Sequence, residues 1–173
     1  MAWQIDNSHS SIGFSVKHMM ISTARGVFER FSGTVEADEA NPTAAKVDVQ
    51  IETASVNTRD EKRDGHLRSP DFLDVQNYPD VTFKSRRVTV SDPRHFQVVG
   101  DLTIRGISKE VVLDATFEGK QTTPWGTTVA GFTAEARIDR REWGLNWNAA
   151  LEAGGWLVGN EIRISIEAEA VPA

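Results

Sequence analysis

The sequence predicts an all-β fold in which antiparallel strands cover their own apolar face. Hydrophobic and polar residues alternate with a period of two along most of the chain, a pattern typical of strands with one buried side. Few segments have the longer periodicity of an amphipathic helix. Successive strands without interleaved helices favour an antiparallel sheet that forms either a sandwich or a closed barrel.

About eight or nine strands follow from this alternation. Early strands are predicted at residues 11–18, where Ile12, Phe14, Val16 and His18 alternate with polar or small residues, and at residues 47–52. Later strands are predicted at residues 101–105, 111–118, 132–139 and 161–168. Turn residues, such as those at 41–43 and 91–93, separate the strands. Closing the sheet into a barrel would also remove its exposed edges.

A short helical segment is predicted near residues 59–75. The run at 60–64 is too highly charged for the inside of a sheet, and Ser69-Pro70-Asp71 supplies a cap, a first-turn proline and a first-turn acid. We expect two short helices that cover one end of the barrel. Three apolar side chains should then turn inward: Leu67, Phe72 and Leu73.

Composition indicates one domain over residues 1–173 and excludes several classes of function. The net charge of −6 and the pI of about 5.2 disfavour binding to nucleic acid. Cysteine is absent, which excludes thiolate metal sites and cysteine nucleophiles. No membrane span or signal peptide is visible, so we expect a cytoplasmic protein, or a periplasmic one if a signal has been removed.

Catalytic motifs are not found, and we predict neither a cofactor nor a metal site. The four histidines form no close pair in the sequence: His9, His18, His66 and His95. We expect His9 and His95 at strand ends. His18 and His66 border apolar segments and could meet Arg63 and Asp64 at one barrel mouth, as an ion-pair network or as a ligand-binding group.

Two features bear on whether the barrel is filled. Small residues are expected on the inner face, which indicates a taper or a tunnel: Gly100, Ala115, Ala134, Ala136 and Ala168. The irregular segment 140–159 contains Trp143, Trp147 and Trp156, which we expect to pack against the barrel.

Four segments resemble the YceI-like polyisoprenoid-binding family: HSSIGFSVKH at 9–18, KRDGHLRSPDFLD at 62–74, YPDVTFKS at 78–85 and GDLTIRG at 100–106. The matching segments span most of the chain in the expected order. The resemblance implies an extended, lipocalin-like antiparallel β-barrel whose pore holds an isoprenoid chain or a related amphiphile. It also implies binding, transport or storage of an isoprenoid quinone or its precursor, without catalysis, and a homodimer would fit the family.

Eleven ligand-binding residues follow from the resemblance and the tryptophan-rich segment. Three residues are expected to recognise a polar head group: His18, Arg63 and His66. The others are expected to line the pore: Phe14, Val16, Phe83, Leu102, Ile104, Leu113, Phe132 and Trp147.

Two other functions compete with this hypothesis. An enzyme acting on a prenyl lipid could use His18, His66 and Asp64 as acid–base groups in a water-poor pocket. A protein-interaction module would instead have a barrel filled by its own side chains.

Overall fold

The computed structural model describes residues 1–173 and contains eleven strands and one α-helix. Short 3-10 helices lie at Asn7–His9, Pro42–Ala44, Thr53–Ser55 and Arg140–Trp143. The other elements, in chain order, are β1 Ala2–Ile5, β2 Ser11–His18, β3 Ser22–Phe28, β4 Phe31–Glu36, β5 Lys46–Glu52, β6 Val56–Asn57, α1 Glu61–Arg68, β7 Asp80–Val90, β8 His95–Ile104, β9 Ile107–Thr122, β10 Thr128–Asp139 and β11 Val158–Pro172.

Eight strands close into an antiparallel barrel in the order β1-β4-β5-β7-β8-β9-β10-β11. The short strand β1 completes the ring, because Trp3 pairs with Val35 of β4 on one side and with Pro172 of β11 on the other. The predicted all-β barrel is therefore confirmed. Strand β1 closes one half of the molecule, and we refer to that half as the β1 end.

The opposite half is built differently. Strand β11 is long enough to pair with β1 through residues 170–172 and with β2 through residues 158–167. Strands β3 and β6 then continue the sheet from β2, and no strand pairs with the outer side of β6. The helix α1 and residues 140–157 contribute to the barrel wall in this half. We call this half the helical end.

One helix forms where we expected two. Asp60 caps the start of α1 by accepting hydrogen bonds from the backbone of Lys62 and Arg63. Ser69 ends α1 instead of starting a second helix, since its hydroxyl donates to the carbonyl oxygen of His66. The chain then folds back through turns, and the amide of Leu73 donates to Leu67. This reversal leaves no room for a second helix.

The helix α1 is anchored to the backbone beside it. The guanidinium of Arg68 donates to the carbonyl oxygens of Ala54 and Val56, at 3.0 and 3.1 Å. Leu67, Phe72 and Leu73 face the barrel interior, as predicted. No helix in the structure is long and apolar enough to cross a membrane.

Candidate functional site: an apolar tunnel through the barrel

A cavity of about 1210 Å³ occupies the barrel, and 44 of the 60 residues in its wall are hydrophobic. This volume exceeds the roughly 300–1,000 Å³ of most small-molecule pockets. Strands β9 and β11 contain 16 and 15 residues, so the barrel is long, with β11 extending about 50 Å. Only 28 of the 173 residues are buried, because many inward side chains border open space. A barrel filled by its own side chains does not fit these observations.

Small side chains keep the middle of the tunnel open. Ala115 of β9 pairs directly with Ala134 of β10, and Ala168 of β11 lies opposite Phe132. All four residues are in the cavity wall. Eight-stranded barrels are just wide enough to be filled by large side chains, so alanine at these positions leaves space for a ligand.

The structure places all eleven predicted ligand-binding residues in the cavity wall. The apolar residues among them form two groups that differ in burial. Phe83, Leu102 and Ile104 are buried in the packed cluster around Trp143, whose indole N–H donates to the carbonyl oxygen of Leu102 at 2.9 Å. The partly exposed inner surface is formed by the other apolar positions: Phe14, Val16, Leu113 and Phe132.

Arg63 is held at the helical end by Thr58. Its Nε donates to the Thr58 hydroxyl at 2.8 Å, and its Nη2 donates to the Thr58 carbonyl oxygen at 2.9 Å. The other terminal nitrogen, Nη1, has no hydrogen-bond partner within the protein. The guanidinium is thus fixed in orientation while one donor group stays available.

Asp64 does not lie with the histidines at the tunnel, so that part of the acid–base hypothesis is wrong. Its carboxylate accepts hydrogen bonds from the amide and the hydroxyl of Thr58, at 2.8 and 2.6 Å, and it is buried outside the cavity wall. One residue step turns a helix by about 100°, which separates Asp64 from Arg63. The role of Asp64 is to fix the start of α1.

Three aromatic rings pack together beside the tunnel. His66 contacts Trp147 edge to face with ring centroids 4.5 Å apart, and it contacts Phe72 at 5.1 Å. The Nε2 atom of His66 is 2.9 Å from the carboxylate of Asp71. The predicted partners His66 and Trp147, which are 81 positions apart in sequence, therefore form one surface.

Arg140 is a buried wall residue that the sequence analysis missed. Its guanidinium donates to the carbonyl oxygens of Leu145 and Trp147 at 2.6 and 2.9 Å, and to those of Gly159 and Val158 at 2.8 and 3.4 Å. No carboxylate forms an ion pair with it, and burial lowers its pKa. An arginine nevertheless stays protonated at neutral pH. Alternation continued from Ile138 would have placed Arg140 inside, which was the available signal.

Charged wall residues are segregated along the tunnel. The basic residues of the helical end are Lys17, His18, Arg63, His66 and Arg140, and no acidic wall residue belongs to this end. The acidic wall residues lie at mid-barrel or toward the β1 end: Asp38, Glu39, Asp92 and Glu167. Lys120 forms an ion pair with Glu39 there. The tunnel therefore has a positive end and an end of mixed charge.

Other predicted residues lie outside the tunnel. His95 begins β8, as expected, and bonds to Asp92. His9 is not at a strand end as expected, because it lies in the 3-10 helix between β1 and β2, where it bonds to Asp6. Asp6 raises the pKa of His9 by hydrogen bonding. Trp156 does not pack against the barrel, contrary to expectation, because the bridge between Ala150 and Trp156 holds it at the surface.

A closed antiparallel barrel around one long apolar tunnel defines a small, lipocalin-like, cavity-forming protein. The chain belongs to the YceI-like domain family, whose family model matches residues 3–170. A UPF0312 protein of Staphylococcus aureus strain N315 is 38% identical over 165 residues, which is 95% of this chain and 94% of that protein.

Solved structures support the same assignment. The YceI protein of Campylobacter jejuni is 33% identical, with 91% of this chain and 90% of that chain covered and a TM-score of 0.77. A polyisoprenoid-binding domain from Saccharophagus degradans has a TM-score of 0.71 over 99% of this chain and 98% of that chain, at 14% identity. The latter likeness shows a shared fold.

Proposed function

We propose that this protein binds one long-chain polyisoprenoid, such as an isoprenoid quinone or its precursor, and carries or stores it without catalysis. The observation that carries the proposal is the tunnel of about 1210 Å³ with a predominantly hydrophobic wall. Each Å² of apolar ligand surface removed from water contributes about 25 cal/mol, so a long hydrocarbon chain supplies the affinity.

The charge distribution orients the ligand. A tail directed toward the β1 end meets mostly apolar wall, whereas a head group at the helical end meets Arg63, His66 and Arg140. The free Nη1 donor of Arg63 suits a phosphate oxygen or a quinone carbonyl. The rings of His66, Phe72 and Trp147 offer an apolar surface for a head-group ring or for the first isoprene units.

The comparison with the Saccharophagus domain supports this ligand class. That protein is described as polyisoprenoid-binding, and its barrel has the same fold as this one over nearly the whole of both chains. A shared fold alone does not establish a shared ligand. The proposal therefore depends on the dimensions and polarity of this chain's own tunnel.

The test begins with native mass spectrometry of the purified protein, followed by extraction and identification of any bound lipid. Polyprenyl binding is then compared between the wild type and Ala134→Phe, which places a ring in the row of small residues at the middle of the tunnel. We expect a loss of affinity of at least about tenfold, since an added large side chain competes with the ligand for the same space.

Glu135→Phe is the matched control, because Glu135 is the next residue of β10 and is exposed on the outer face. Its affinity should equal that of the wild type. If Ala134→Phe fails to fold, Ala115→Leu tests the same row with a smaller addition. A folded tunnel variant with unchanged affinity, or a wild-type protein that binds no polyprenyl lipid, would refute the proposal.

A further inference from the structure

The tip of the β2–β3 hairpin exposes large apolar side chains in an unfavourable conformation. Met19 and Met20 occupy the two central positions of the turn with φ values of 51° and 65°, and Ile21 donates its amide to His18. Two consecutive positive φ values are characteristic of a type I′ turn, for which Asn-Gly is the favoured sequence. Met20 and Ile21 are 66% and 84% exposed. Neither the turn geometry nor burial accounts for these residues.

The apolar tip is continuous with the tunnel. The amide of Met19 donates to the carbonyl oxygen of Leu157, and His18 pairs with Val158. His18, Leu157 and Val158 are all wall residues of the cavity. The exposed indole of Trp156 directly precedes this wall segment, and the side chain of Met20 packs on Gly155. The hairpin tip therefore contacts the segment that carries Trp156, and we treat these four exposed apolar side chains beside the helical end of the tunnel as one patch: Met19, Met20, Ile21 and Trp156.

The charge of the same hairpin is positive. Residues 11–28 contain Lys17 and Arg25 and no aspartate or glutamate, although the protein as a whole has a net charge of −6. Neither Lys17 nor Arg25 forms an ion pair. An apolar tip flanked by unpaired basic residues matches an anionic bilayer surface, where apolar groups enter the interface and basic groups contact the lipid head groups.

We propose that the β2–β3 hairpin tip docks the protein on an anionic lipid bilayer, with the helical end of the tunnel facing the lipid. The inference rests on the proposed function, since a polyisoprenoid dissolves in bilayers and must enter or leave the tunnel there. A second copy of the chain is a poorer occupant. Stable protein interfaces use about 20–30 residues on each side, and this patch offers four large side chains.

The experiment measures flotation of ligand-free protein with vesicles made of equal parts phosphatidylcholine and phosphatidylglycerol. The test variant carries Met19→Asn and Met20→Gly, which remove the apolar groups and give the turn its preferred sequence. Its folding should therefore be preserved. We expect the coefficient for partition of the variant into these vesicles to be about tenfold lower than that of the wild type. The partition coefficient of the wild type should also fall when phosphatidylglycerol is omitted from the vesicles.

Trp125→Ser is the matched control, because Trp125 is 87% exposed in the turn between β9 and β10, away from the hairpin tip. Its flotation should match that of the wild type. Absence of wild-type flotation, or an equal loss in Trp125→Ser, would overturn docking through the hairpin. A wild-type dimer that the Met19→Asn/Met20→Gly variant converts to monomer, without flotation, would assign the patch to self-association.

Binding of a water-dispersible farnesyl probe, measured without vesicles, separates this inference from the proposed function. If the probe binds and the protein does not float, the docking inference is wrong and the ligand proposal stands. If the protein floats through the hairpin but binds neither the probe nor longer polyprenols, the ligand proposal fails while the bilayer contact is retained.

Discussion

The two ends of the barrel are closed by different interactions. At the β1 end, backbone pairing completes the ring, and Trp3 packs against Ala130 and Ala170 in a small buried cluster. At the helical end, arginine side chains bond to backbone carbonyl oxygens where the strand ladder is interrupted. Arg105 illustrates this, since it donates to Phe72 at 3.1 Å and joins the segment after α1 to the barrel.

This difference shows why basic groups without acidic wall neighbours gather at the helical end. A strand ladder satisfies its own backbone groups and needs only apolar side chains inside. Loops and a short helix leave carbonyl oxygens without ladder partners, and Arg68, Arg105 and Arg140 satisfy them. The helical end consequently carries fixed positive charge next to the tunnel, which suits it to a ligand head group.

Loss of packing at the β1 end should give the largest change in stability. Trp3→Ala removes a buried aromatic side chain and enlarges the cavity, so the free energy of unfolding should fall by about 3–5 kcal/mol. Urea denaturation measures this fall. Trp125→Ala is the control, and its exposed ring should contribute no more than about 0.5 kcal/mol. Equal effects of the two changes would show that Trp3 does not seal this end.

Loss of the buried guanidinium of Arg140 at the helical end should lower the free energy of unfolding slightly less than Trp3→Ala does. Arg140→Met keeps a long apolar side chain but leaves buried carbonyl oxygens without donors, and the unfolding free energy should fall by about 3 kcal/mol. Affinity for a lipid with an anionic head should also fall, whereas Trp3→Ala should spare head-group selectivity. Arg137→Met, on the exposed face of β10, is the control. Indistinguishable denaturation curves for the two arginine variants would contradict the assigned role of Arg140.

A substitution in α1 should stabilise the helical end. No atom lies within 4 Å of the position that a Cβ on Gly65 would take. Gly65→Ala should therefore raise the unfolding free energy by about 0.5–1 kcal/mol, because alanine favours the helix. Gly144→Ala should instead destabilise the protein, since Gly144 has a φ of 75°. Calorimetry would disprove this view of α1 if Gly65→Ala lowered the melting temperature.

The smallest expected effect on stability is its dependence on acidic pH through Asp139, at the end of β10. Hydrogen bonding from Arg141 lowers the pKa of Asp139 from 3.8 to about 2. The resulting stabilisation is present above pH 3.8 and is lost as the pH falls through 2. Because the Asp139 side chain is 37% exposed, this contribution should stay below about 1 kcal/mol.

Arg141→Gln tests this coupling. It should raise the pKa of Asp139 toward 3.8 and reduce the stability difference between pH 5 and pH 2, relative to the wild type. Carboxyl NMR titration measures the pKa, and urea denaturation at both pH values measures stability. A pKa of about 2 that persists without Arg141 would contradict the assigned cause.

Alternation in the sequence correctly predicted most of the inner face. Ile12, Phe14 and Val16 of β2 and Ile162, Ile164 and Ile166 of β11 all face the tunnel. A period of two requires only that one face of each strand avoid water. The charged run at the start of α1 located the helix, and the family segments pointed to Arg63 and His66, which lie in the cavity wall.

Departures from alternation were not predictable in the same way. Gly131 pairs with Gly119 but Phe132 pairs with Phe117, so Glu118 is an extra residue in β9. This bulge reverses the phase of β9 beyond it and brings Lys120 to the cavity wall. A comparable register shift in β7 leaves Arg86, between Ser85 and Arg87, without a ladder partner on β8. A bulge depends on the register in which two strands pair. The sequence of either strand alone does not specify that register.

The sequence by itself determined the all-β class, the side of most predicted strands that avoids water, and the family. Tertiary structure decided that the barrel is hollow, that its charges are segregated, and that Arg140 rather than Asp64 lies at the tunnel. The physical reason is that alternation is a local property of one strand. Cavity volume and the partners of a buried charge depend on side chains from many strands, which only the closed barrel brings together.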